Sequence, residues 1–149
     1  MKIVFVQTGG TIDKDYPEGS TNHGYEFKIG EPAFASILKK AKIDFEYEVL
    51  TLLKKDSLDI TAEDRKKVFD KIKSLKDTKI VITHGTDTIR KTAESLSKVL
   101  GKTIVLTGLM LPEKFYESEA DFNVGMAVGC AQSLPPGVYI VLNGVITKV

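Results

Sequence analysis

Three short segments gather hydroxyls, carboxylates and glycines at spacings that could serve chemistry. The first is Thr8-Gly9-Gly10-Thr11-Ile12. Consecutive glycines let the main chain turn sharply and come close to a ligand. The N–H groups of such a turn can face an anion or a developing oxyanion, with the Thr11 hydroxyl in the same space. A plain Gly-Gly turn accounts for the segment as well. The second is His84-Gly85-Thr86-Asp87-Thr88. Thr86 and Asp87 stand where a helix begins, so capping alone would justify either; Asp87 could instead hold a substrate ammonium group. His84 reads as a strand-end imidazole bonded locally, because no Gly-x-Ser-x-Gly elbow is present to make it part of a serine triad. The third, Asp56-Ser57-Leu58-Asp59, is by itself a polar turn ahead of a capped helix.

Other chemistries find little footing. The Gly9-Gly10 segment does not follow Gly-x-Gly-x-x-Gly, which argues against a dinucleotide site. Leu100-Gly101-Lys102-Thr103 has the end of a phosphate-binding loop, but Leu96 stands where the upstream glycine belongs, and the segment runs from helix into strand. One Cys and two His, far apart, match no zinc spacing, so metal-free chemistry, or no chemistry, is the starting expectation. Cys130 alone forms no internal disulfide and suits a reducing cytoplasm.

Alternating strands and helices must position these segments. Lys2 to Gln7 reads as a buried first strand. Residues 12–30 form a long loop of the kind that is usually functional or mobile. Pro32 to Lys40 is a short helix, and Phe45 to Leu53 the second strand. Thr61 opens a helix with Asp64 three residues on, in capping-box register, and Val68, Ile72 and Leu75 repeat at helical spacing. Lys79 to Thr83 is the third strand. The helix after it is expected to carry Ile89, Ala93, Leu96 and Leu100 on one face and to end at Gly101. Thr103 to Thr107, the helix Ser118 to Gln132, and Gly137 to Leu142 complete the pattern. It predicts an α/β fold, a three-layer αβα sandwich with a mainly parallel five-stranded sheet, flavodoxin-like or Rossmann-like. Ligands in such sheets sit beyond the carboxyl ends of the strands, where all three segments fall.

Composition agrees. The chain has 149 residues, one domain's worth, with 28% charged residues and a net charge of +1. No overall field is available to recruit nucleic acid or an anionic membrane. No apolar run approaches the length of a membrane helix, and Met1 to Gln7 is strand-like rather than a leader.

The paired segments Thr8-Gly9-Gly10-Thr11-Ile12 and His84-Gly85-Thr86-Asp87-Thr88 resemble the bacterial-type L-asparaginase/glutaminase family. Asp56-Ser57-Leu58-Asp59, Thr107-Gly108-Leu109-Met110-Leu111-Pro112 and Ser118-Glu119-Ala120-Asp121-Phe122-Asn123 resemble further family segments. The similarity runs through residues 1–149 and covers the family's larger N-terminal domain, the C-terminal domain being absent from this chain. The resemblance implies hydrolysis of the side-chain amide of asparagine, with Thr11 as nucleophile. It implies Thr86 as a second hydroxyl at the site, Tyr25 as the loop tyrosine closing over substrate, Asp87 on the α-ammonium and Ser57 on the α-carboxylate. Backbone N–H groups around Thr11 and Thr86 would form the oxyanion hole, and Gly10, Ser57, Gly85, Thr86 and Asp87 would bind the substrate. The implied substrate is a small amino acid, glutamine or another amide being the alternative substrates and amino-acid binding without turnover the non-enzymatic alternative. Assembly as a homodimer or homotetramer is also implied.

There are departures. Leu58 replaces a polar residue, and Leu111 replaces the family's arginine. The family lysine that belongs with the Thr-Asp pair has no simple counterpart, since Lys148 falls too early, and Lys14 and Lys114 are loop candidates to replace it. The helix face carrying Met126, Val128 and Cys130 is the candidate surface for self-association, unless it packs on the sheet.

Overall fold

A computed structural model describes residues 1–16 and 27–149. The main sheet holds six strands: β1 (Lys2–Gly9), β4 (Glu46–Lys55), β5 (Lys79–Thr83), β6 (Thr103–Thr107), β7 (Gly137–Leu142) and β8 (Val145–Lys148), in the order β4-β1-β5-β6-β7-β8. A two-residue pair, β2 (Lys14–Asp15) with β3 (Lys28–Ile29), stands apart. The first five strands of the sheet are parallel, and their order is the flavodoxin-like one. The order reverses between β1 and β5, because the chain goes from β1 outward to β4 and then returns to β1's other side.

The five parallel strands alternate between two cores. Ile3, Phe5, Val81, Val105, Tyr139 and Val141 face α1 (Ala33–Ala41) and α4 (Ala120–Ser133). Val4, Val6, Ile80, Ile82, Ile104 and Leu106 face α2 (Ala62–Ser74) and α3 (Ile89–Leu96). The apolar runs arise because these strands are covered on both sides. The predicted capping box of α2 is present: Thr61 Oγ1 accepts from the Asp64 N–H, and the Asp64 carboxylate accepts from the Thr61 N–H.

Two expectations are corrected. The sheet has six strands, not five. Asn143 and Gly144, with φ of 48° and 85°, turn the chain back so that β8 pairs antiparallel with β7. Asn-Gly between apolar runs is a strong two-residue hairpin signal. Also, α3 stops at Leu96, and Leu100 is 87% exposed rather than part of its buried face. Cys130 belongs to the core beside Ala127 and Ala131, so that part of the α4 face is not free, while Met126 and Val128 are half-buried. Among the described residues no helix is long and apolar enough to cross a membrane.

Candidate active site

The reversal between β1 and β5 brings the first two motifs into contact. Thr8 Oγ1 donates to the Thr83 carbonyl at 2.6 Å, tying the ends of the two strands together. Gly10, with φ of 92°, then lies directly on the other turn: a Cβ there would stand 2.4 Å from the Gly85 nitrogen. Gly85 in turn leaves room for Ser57, whose Oγ would be 2.6 Å from a Cβ at position 85. On the far side, a Cβ on Gly108 would be 2.3 Å from the His84 carbonyl oxygen. The ends of β1, β4, β5 and β6 therefore interlock through glycine contacts.

Among the expected site residues, the structure packs Gly10 against Gly85 and Gly85 against Ser57, with Thr11 and Thr86 the next residues in their turns. Thr11 is half-buried and begins a single 3₁₀ turn, Thr11–Asp13. Among the described residues none hydrogen-bonds its hydroxyl. Ser57 is 1% exposed, and its Oγ has no hydrogen-bond partner among the described residues. Thr86 is half-buried, with Oγ1 3.8 Å from Met110 Sδ. Asp87 lies exposed one residue further out. Capping does not account for Thr86 or Asp87: α3 begins at Ile89 after Thr88, with no side-chain cap. Tyr25 lies outside the described residues.

Sequence reasoning passed over Asp13. Its carboxylate, 3% exposed, accepts from the Ala33 N–H at 2.8 Å and from Thr83 Oγ1 at 3.2 Å, so it joins the Thr11 turn to the start of α1 and the end of β5. Burial pushes its carboxyl up to about 6, against the hydrogen bonds from Ala33, Gln7 and Thr83 and the charge of Lys54. The only signal in the sequence was a charged residue directly after an apolar turn. His84 is fully buried, with Nδ1 2.8 Å from the Gly85 carbonyl and Nε2 2.7 Å from Thr92 Oγ1. Burial first, then the charge of Arg65, holds it below the ordinary imidazole range. This agrees with the locally bonded role expected for it.

The two loop lysines are ion-paired. Lys14 Nζ meets Asp56 at 3.1 Å and Lys114 Nζ meets Asp15 at 3.7 Å. The Lys14 ammonium holds Asp56 below the usual carboxylate range and ties the Thr11 segment to the Ser57 segment. Among the described residues neither ammonium hydrogen-bonds the Thr11 hydroxyl. Among the described residues no group of three or more His, Cys, Asp or Glu is placed to hold a metal ion.

The site thus offers hydroxyls at Thr11, Ser57 and Thr86, two glycine turns packed on each other, and the exposed Asp87 carboxylate, while the Gly10 N–H is already given to the Lys55 carbonyl at 3.1 Å. That set suits a zwitterion bearing a polarised carbonyl.

Comparison with known proteins follows the same lines. The sequence family described as "Asparaginase, N-terminal" matches residues 2–149. An L-asparaginase of Thermococcus kodakarensis is 34% identical over 94% of this chain, which spans 43% of that protein. One subunit of the glutamyl-tRNA(Gln) amidotransferase of Pyrococcus horikoshii is 31% identical over 95% of this chain and 33% of its own length. The solved structure of the thermostable L-asparaginase from Thermococcus kodakarensis superposes with a TM-score of 0.80 at 31% identity, covering 95% of this chain and 44% of that one. The chain spans less than half the length of these relatives.

Proposed function

Because this chain belongs to the asparaginase family through its match to the N-terminal domain, we propose that it hydrolyses the side-chain amide of L-asparagine with Thr11 as nucleophile. The Thr11 oxygen attacks the amide carbon and gives up its proton. The C–N bond breaks, the nitrogen leaves protonated as ammonia, and the acyl group stays on Thr11 as an ester. Water then attacks the ester carbon, aspartate leaves, and the proton returns to Thr11. Backbone N–H groups around Thr11 and Thr86 stabilise the oxyanion, and Thr86 orients the nucleophile or the water. Asp87 meets the α-ammonium and Tyr25 covers the substrate.

The observation that carries this reading is Ser57. Ser57 is buried and its hydroxyl has no partner among the described residues, a costly arrangement that supports a bound ligand as the missing partner. The family resemblance makes Ser57 the group for the substrate α-carboxylate, and its contact with the Gly85 turn supports that place for it. The reading includes a small-molecule amino-acid substrate, no cofactor, no nucleic-acid or membrane partner, and a homodimer or homotetramer in the cytoplasm. The net charge of +1 supports the exclusion of polyanions, and the single free cysteine supports a reducing compartment.

The test is ammonia release from L-asparagine and L-glutamine by the wild type and by Ser57→Ala. Turnover of asparagine is expected. In Ser57→Ala, KM should rise about tenfold, the worth of one hydrogen bond to a charged group, with the melting temperature unchanged or raised. Preference for glutamine would change the substrate, and a Ser57→Ala variant with wild-type KM would remove Ser57 from the site.

A further inference from the structure

One guanidinium lies behind the loops that carry Ser57 and Thr86. Arg65, half-buried in the first turn of α2, donates to three acceptors on two segments: Nη1 to the Ile60 carbonyl at 2.8 Å before α2, and, at the start of α3, Nη2 to Thr88 Oγ1 at 3.2 Å and Nε to Thr92 Oγ1 at 3.1 Å. Two of these acceptors lead on to the site. The Thr88 hydroxyl donates to the Ser57 carbonyl at 2.7 Å. Thr92 Oγ1 reaches His84 Nε2 at 2.7 Å, and His84 Nδ1 reaches the Gly85 carbonyl at 2.8 Å.

The protons along the second branch follow by elimination. The Gly85 carbonyl only accepts, so Nδ1 carries the hydrogen; Nε2 then accepts from the Thr92 hydroxyl, which itself accepts from Arg65. Burial favours the neutral imidazole, so His84 carries its hydrogen on Nδ1, and that hydrogen bond sets the direction of the Gly85 carbonyl just ahead of Thr86.

Helix formation does not explain this arginine. A cation in the first turn opposes the helix dipole, and the capping box of Thr61 and Asp64 already serves the α2 terminus. Among the described residues no carboxylate forms an ion pair with Arg65. Its rigid fork is directed at three neutral acceptors on two segments, a task a lysine ammonium cannot reproduce.

We propose that Arg65 is a positioning residue of the site, one fork that fixes Ser57 relative to the Gly85-Thr86 turn. The branch through Thr88 acts on Ser57 and thereby on substrate binding. The branch through Thr92 and His84 acts on Thr86 and thereby on the chemical step. The kinetic part of this inference rests on the function proposed above.

The experiment compares Arg65→Met, Arg65→Lys, Thr88→Val and Thr92→Val with the wild type by steady-state ammonia release from L-asparagine and by amide hydrogen exchange. Arg65→Met should lose about 30-fold or more in kcat/KM, and Arg65→Lys should recover little of it. Thr88→Val should raise KM about tenfold with kcat within about threefold of wild type, and Thr92→Val should show the converse. In Arg65→Met, exchange should quicken at residues 57–60 and 84–88 and stay unchanged in β6. Wild-type kinetics in Arg65→Lys, or losses in all four variants that simply follow melting temperature, would overturn the proposal. If the wild type releases no ammonia, the functional reading fails separately. The exchange pattern then decides: localised quickening upholds Arg65 as the fork, and an unchanged or uniform pattern refutes it.

Discussion

Asp13 stands two residues beyond Thr11, and its carboxyl, raised by burial to about 6, makes the site's stability depend on pH. The folded state holds this proton more tightly than the unfolded chain does. Its stabilising contribution is complete below about pH 4 and is lost as pH rises through 6, a change of about 3 kcal/mol for a shift of this size. Asp13→Asn should remove that dependence. Urea unfolding of wild type and variant at pH 4.5 and 7.5 should show the wild type losing about 2 kcal/mol more than the variant between the two conditions; parallel losses would refute a buried, titrating Asp13. Single residues were legible in the sequence as groups but not as partners. Thr11, Ser57 and Thr86 stood out by type and setting. Asp13 and Arg65 did not, because their roles depend on Ala33, Thr83, Thr88 and Thr92, residues that only the fold brings near.

At the level of elements, the strand ends interlock because each turn leaves out a side chain where its neighbour needs room. Gly10 is the sharpest case, combining φ of 92° with backbone of the Gly85 turn 2.4 Å from where a Cβ would lie. Gly10→Ala should destabilise the fold by about 2 kcal/mol or more, from the strained φ and from the separation of the two turns, and should abolish turnover. Wild-type melting temperature and activity in Gly10→Ala would show that the contact does not hold the turns. The parallel strands and their helices were legible because apolar runs, capping residues and helical periodicity agreed. The sixth strand was missed although Asn143-Gly144 announces a hairpin: the run after it, Val145 to Lys148, is short and largely exposed, so no buried pattern marked it. Leu100 was misplaced for the opposite reason, since its spacing continues the helical face past the point where the chain leaves the helix.

In the whole molecule, an asparaginase-type N-terminal domain carries a site built from four strand ends. Large apolar side chains near those ends are exposed, among them Leu58 at 73% and Met110 at 67%. Exposed apolar surface of this kind favours association, and a closed symmetric assembly is the commonest outcome. Sedimentation velocity at micromolar concentration should find a dimer or tetramer; a monomer would contradict that part of the proposal. Amide hydrolysis through Thr11 is decided by one comparison above all: ammonia release from L-asparagine by wild type and Thr11→Ala, each with its melting temperature recorded. Release by the wild type is expected, with a loss of about a thousandfold or more in Thr11→Ala at unchanged melting temperature. Equal release by both, or none by the wild type at millimolar asparagine, would contradict it.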